Sequence, residues 1–279
     1  MQTALIVSIC ATAAIYAVYL ALPALLARRG VWMRRRTKFG PALVFESQNA
    51  DGTEVRLLNV GGTFQSVTFV DEGLRYELAC EYHRAMACAL LDLEKELGRP
   101  LSVLVLGGGG YSLPKWIVSH MPGSTVEVVE IDPAVTEIAR ERFFLDELID
   151  EYDPSGERLT LVCDEGWNYL QGRSKTYDAI VNDAFSGSKP LGPMKTENGA
   201  HIMREHLSGG GIYLANVRSA LEGRRARGLD EVVGAFSAEF GHVWLVPEWP
   251  DKPSEKGNNT MIARDADLEL DIEGLRRLA

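Results

Sequence analysis

The chain of 279 residues is poor in cysteine, with only Cys10, Cys80, Cys88 and Cys163, and none forms a C-x-x-C pair or a Cys/His ligand spacing. That excludes a disulfide framework and a zinc site, so no metal is expected. Positive charge is also short: 29 Lys and Arg face 39 Asp and Glu, a formal net charge of -10. Phosphate affinity comes from clustered cations, so a general nucleic-acid binder is excluded too. The balance suits a protein that handles a small cationic molecule. Internal repeats and low-complexity segments are absent. His201 and His206 flank Glu205 without the H-E-x-x-H spacing of a metal helix.

What is present begins with an apolar run. Thr3 to Ala27 carries no charge, and Arg28, Arg29, Arg34, Arg35 and Arg36 follow. The length and the flanking arginines predict a single membrane-spanning helix over residues 3–27, a basic juxtamembrane linker over 28–40, and a remainder held at the cell membrane on its cytoplasmic side. Residues 41–72 hold "ALVFES", "EVRLLNV" and "TFQSVTFV" between turn signals, which predicts a small β unit. Residues 73–279 are expected to form one larger domain. A helical pattern runs from Gly73 to Leu97, and strand-like "SVLVLG", "TVEVVEI", "RLTLVC", "YDAIVND" and "GIYLANV" then alternate with helical segments. That alternation predicts a mostly parallel sheet covered on both faces, with "HVWLVPEW" and "NNTMIARD" as a closing antiparallel pair.

The first strand of the alternation runs into Gly107, Gly108, Gly109 and Gly110. No Lys-Ser/Thr follows, so a Walker loop fails. Ser112 stands where a dinucleotide fingerprint wants Gly or Ala, and Pro114 breaks a G-x-S-x-G elbow. The next strand ends at Glu130 and Asp132, about 20 residues on, the distance at which a carboxylate meets ribose hydroxyls. Asp164 and Asp183 stand at two later strand ends. Glycines with acidic strand ends and no phosphate loop suit an adenosyl group: glycines under the amino-acid arm, Glu130 on the ribose, Asp164 near the adenine. The pattern predicts an S-adenosylmethionine-type pocket.

The stretch "VLVLGGGGYSLPKWIVSHMPGSTVEVVEIDPAVTEIARERFFL" with "YDAIVNDAFSG" resembles the spermidine synthase family, in particular the branch related to transporter-fused members. The resemblance covers roughly residues 43 to 246. It implies a Rossmann-like α/β fold of the S-adenosylmethionine-dependent methyltransferase type, with a small N-terminal β unit. It also implies aminopropyl transfer from decarboxylated S-adenosylmethionine to a polyamine acceptor such as putrescine. Asp183 is then the catalytic base, Gln65 lies near the cofactor, and Tyr82 and His83 lie beside the substrate. A homodimer is implied as well. Two departures stand out: Gly110 stands where an aspartate would grip the aminopropyl arm, and Ser186 and Gly187, with a positive Lys189 after them, stand where an aspartate and a proline would help hold a diamine. A methyltransferase using intact S-adenosylmethionine and a non-catalytic cofactor-binding module are the alternatives.

Overall fold

A computed structural model describes residues 15–18, 20–186, 189–190, 192–267 and 269–278. A small antiparallel sheet comes first, in the order β1 (Trp32–Thr37), β2 (Gly40–Gln48), β3 (Glu54–Val60), β4 (Thr63–Phe69). The β3–β4 turn needs glycine. Gly61 has a φ of +58°, and a Cβ there would lie 2.2 Å from the Phe39 carbonyl oxygen.

β1 corrects the expectation of a juxtamembrane linker. Residues 32–37 pair with β2, and Arg34 forms a 2.6 Å ion pair with Glu137. The run of arginines hid the strand, and Arg34 turns its charge to a partner outside the small sheet. The membrane expectation is corrected as well. Of residues 3–27, positions 3–14 and 19 lie outside the described residues, and 15–18 and 20–27 are helical. Among the described residues no helix is long and apolar enough to cross a membrane, so a single-pass placement at the cell membrane is not upheld.

Helix α1 (Glu81–Leu97) starts later than the predicted Gly73, after a turn-rich segment. It stops at Gly98, whose left-handed φ of 64° lets its N–H cap the Glu94 carbonyl. Its buried face carries His83, Met86, Leu90 and Leu93 at helical spacing.

The central sheet then builds by alternation: β5 (Ser102–Leu106), α2 (Ser112–His120), β6 (Thr125–Glu130), α3 (Pro133–Arg142), α4 (Leu145–Tyr152), β7 (Leu159–Cys163), α5 (Gly166–Gln171), β8 (Tyr177–Asn182). A two-residue pairing, β9 (Phe185–Ser186) with β10 (Lys189–Pro190), precedes α6 (Glu197–Glu205), β11 (Leu207–Ser219), α7 (Arg227–Glu239), β12 (His242–Val246), β13 (Gly257–Arg264) and β14 (Arg276–Arg277). The strand order is β14-β12-β13-β11-β8-β5-β6-β7. β11, β8, β5, β6 and β7 run parallel; β13 and β12 close the sheet antiparallel.

Alternation along the strands divides the core. Val103 and Val105 of β5 pack with α1 and α2 on one face, and Leu104 and Leu106 pack with α6 and α7 on the other. Ala42, Val44, Leu58 and Val60 of the small sheet join the first of these cores. Burial on both faces is what gives β8 its unbroken run of buried residues. The fold is the Rossmann-like α/β type.

Candidate active site

β5 sits between β6 and β8, so the chain turns to opposite sides of the sheet on leaving it. At such a point the loops beyond the strand ends part, and a crevice opens. Gly107 takes a φ of +95°, and a Cβ there would lie 2.7 Å from the Asp183 carbonyl oxygen. Only glycine lets the ends of β5 and β8 approach this closely. A cavity of about 760 Å³ opens above this point, lined by Gly107, Gly108, Gly109, Gln65, Glu130 and Asp183 among others. That volume falls within the range of small-ligand sites.

Glu130 ends β6 with its side chain turned back under the glycine turn. Its Oε2 accepts the N–H of Gly108 (2.8 Å) and of Gly109 (3.3 Å), and its Oε1 accepts the N–H of Asp132 (2.9 Å). Burial raises its carboxyl above the ordinary range, and the three N–H groups partly offset that. A carboxylate offers about four acceptor positions, so about one remains, on Oε1, for a hydroxyl in the cavity.

Asp183 follows β8 directly. Its Oδ2 accepts the Tyr82 hydroxyl at 3.1 Å and lies 3.0 Å from Nε2 of His83, while its Oδ1 accepts the Asn216 amide Nδ2 at 2.9 Å. The first turn of α1 supplies both aromatic partners, their rings 4.1 Å apart. The Thr260 hydroxyl holds that turn through the Tyr82 carbonyl at 3.1 Å. Burial foremost, with the Asp183 charge behind it, holds the Tyr82 phenol well above its ordinary value. For His83 burial opposes charge, but hydrogen bonds to Asp183 and Cys80 and the Asp183 charge outweigh it and raise the imidazole to about 9. At neutral pH His83 is therefore held as the imidazolium. Two donors occupy Oδ2 and one occupies Oδ1, so Oδ1 is the oxygen with room for a further proton.

The structure brings together Gly107, Gly108, Gly109, Gln65, Tyr82, His83, Glu130 and Asp183. It leaves three expected residues outside the cavity lining. Gly110 faces the small sheet: a Cβ there would meet the Ser66 hydroxyl at 2.4 Å and the Phe143 ring at 3.0 Å. Asp132 is 3% exposed and caps α3, its Oδ1 accepting the Ala134 N–H at 3.0 Å while its Oδ2 accepts the Lys38 N–H. Asp164 is exposed and turns to the Glu165 N–H at 2.7 Å. The next carboxylate, Glu165, is the one that lines the cavity.

Sequence reasoning also missed Asn216 and Arg218 on β11, both cavity-lining. The signal was an asparagine inside the apolar run "GIYLANV", which must be paired if buried. Among the described residues no cluster of three or more His, Cys, Asp or Glu could hold a metal ion.

The Spermine/spermidine synthase domain family matches residues 79–224 of the chain. A polyamine aminopropyltransferase of Neisseria meningitidis serogroup A is 27% identical over 227 residues, covering 81% of this chain and 78% of that protein. An eEF1A lysine and N-terminal methyltransferase of Mus musculus is 35% identical over 182 residues, 60% of this chain; the match spans only 24% of that much longer protein. Among solved structures, a spermidine synthase in complex with the transition state analogue AdoDATO superposes with a TM-score of 0.62 at 17% identity, covering 85% of this chain and 74% of that one.

Proposed function

Because the chain belongs to the spermine/spermidine synthase domain family, we propose that it is a transferase moving an aminopropyl group from decarboxylated S-adenosylmethionine to an amine nitrogen. The observation that carries this reading is Asp183, which lines the cavity at the switch point, held by three side chains and with an acceptor position left on Oδ1. In that reaction the ammonium of the acceptor gives a proton to Asp183. The freed lone pair attacks the methylene beside the sulfonium, the N–C bond forms, and the C–S bond breaks with its pair going to sulfur. Methylthioadenosine leaves.

The protein's own contribution is positioning and charge. Gly107 to Gly109 let the donor's arm approach backbone, the open position on Glu130 suits a ribose hydroxyl, and Glu165 suits the adenine edge. His83 and Tyr82 occupy Oδ2 of the carboxylate, so the position left for the acceptor's proton is on Oδ1. The cavity and the glycine turn at its floor, where a Cβ would run into the Asp183 backbone at Gly107 or the Tyr111 ring at Gly108, support the fit of an adenosyl donor.

Methyl transfer from intact S-adenosylmethionine is the second reading. The 35% identity to a protein named as a methyltransferase favours it. Calorimetric titration of the full chain with both donors separates the two. Tighter binding of the decarboxylated donor is expected, by tenfold or more, and tighter binding of the intact donor would turn the assignment to methyl transfer.

A further inference from the structure

The acceptor side of the cavity carries two groups that the transfer chemistry above does not use. Asn216 is 2% exposed, and its Oδ1 has no hydrogen-bond partner. The orientation of the amide is not free: Asp183 as a carboxylate only accepts, so Nδ2 must face it and Oδ1 must face away. The buried, unsatisfied oxygen of the same amide that donates to Asp183, together with the acceptor position left on Asp183 Oδ1, calls for a donor with more than one hydrogen. The ammonium of an amine acceptor fits, reaching Asp183 and Asn216 together.

Arg218 stands two residues further along β11. Residues i and i+2 of a strand share a face, so Arg218 leaves β11 on the side of Asn216, about 7 Å nearer the mouth. It is exposed and lines the cavity, and among the described residues its side chain makes no ion pair or hydrogen bond. The strand order puts β11 on one side of β8 and the glycine turn of β5 with Glu130 of β6 on the other. Arg218 is thus on the acceptor flank, away from the donor.

We propose that the acceptor is an amine carrying an anionic group, a short amino acid of the ω-amino type, with its ammonium on Asp183 and Asn216 and its carboxylate on Arg218. This rests on the transferase reading and replaces the putrescine expected from the family resemblance. The far ammonium of a diamine would approach a guanidinium and be repelled, whereas a carboxylate there gains charge-assisted, bidentate hydrogen bonds.

The test uses 4-aminobutyrate, which matches putrescine in length with one ammonium exchanged for a carboxylate. Both are titrated into the full chain saturated with methylthioadenosine, in wild type, Arg218→Ala and Arg218→Glu. The expected result is tighter binding of 4-aminobutyrate by wild type, a loss of tenfold or more in Arg218→Ala, and a reversed preference for putrescine in Arg218→Glu. Equal binding of the two amines, or binding of 4-aminobutyrate unchanged by Arg218→Ala, would overturn the proposal. So would an Arg218→Ala variant that loses affinity for intact but not decarboxylated S-adenosylmethionine, since the anion would then be the donor's. Failure of every adenosyl compound to bind sinks the transferase reading instead. The same amine titration on the donor-free chain then decides the anion site: loss of 4-aminobutyrate binding in Arg218→Ala supports it, and no difference between the amines overturns it.

Discussion

The two flanks of the β5–β8 switch point differ in how their polar groups are satisfied. On the glycine side Glu130 has three backbone N–H partners and Asp132 is consumed as a helix cap. On the β11 side Asn216 keeps a buried oxygen without a partner and Arg218 makes no ion pair among the described residues. The first flank is a preformed cradle, its shape set by glycines and one carboxylate that keeps about one acceptor position free. The second is chemically unfinished, and buried unsatisfied atoms persist where a ligand supplies the missing group. Asp183 belongs to both, fixed from α1 and open toward β11.

The sharpest way to break this comparison is at the shared residue. Asp183→Asn keeps the shape and removes the base, and turnover should fall by about 10²- to 10⁴-fold. Donor affinity should stay within about threefold; a matching loss of donor binding in calorimetry would make Asp183 a donor ligand.

Glu130→Gln leaves one amide oxygen, a weaker acceptor, for the N–H groups of Gly108 and Gly109 and turns a donor toward that of Asp132, or the reverse. Hydrogen bonds to a charged group contribute about 1.5–3 kcal/mol each, so donor affinity should drop by roughly 10- to 100-fold with little change in acceptor KM. An unchanged donor Kd would remove Glu130 from the cradle.

Gly107→Ala tests the contact between the flanks. The positive φ and the Asp183 carbonyl at 2.7 Å from the new Cβ should lower stability by roughly 1–3 kcal/mol, read from urea unfolding.

His83 gives the comparison a pH signature. Its folded value of about 9 lies above the 6.5 of a free imidazole, so the protonated pair stabilises the fold fully below pH 6.5. That contribution disappears as the pH rises through 9. Wild type should lose stability across this window relative to His83→Gln, and parallel pH profiles would show that the imidazole is not held charged.

The smallest effect expected is that of Asp164→Asn, under about twofold in donor affinity because exposed substitutions seldom perturb. Glu165→Gln should exceed it, and the reverse order would restore Asp164 as the adenine partner.

Much of the donor flank was legible in the sequence. Four glycines at a strand end and a carboxylate about 20 residues later are local signals with one physical meaning. The choice between Asp164 and Glu165 was not legible, because which of two adjacent carboxylates turns inward depends on how α5 starts, and Glu165 is its N-cap. Asn216 read as one polar residue in an apolar strand, and its importance appears only when β11 is laid beside β8, where Ala215 pairs with Asn182. Gly110 read as a missing carboxylate, yet Ser66 and Phe143 fill the space around it, packing that no local pattern records. The basic run at 34–36 read as a linker because charge concealed its strand.

The central claim, aminopropyl transfer at Asp183, is tested most directly by the nucleoside released. The full chain is incubated with both donors and an amine acceptor, and the products are separated by chromatography with mass detection. Methylthioadenosine, appearing with one equivalent of aminopropylated amine and absent in Asp183→Asn, is the expected result. Release of S-adenosylhomocysteine with a methylated acceptor, or the same release from Asp183→Asn as from wild type, would contradict it.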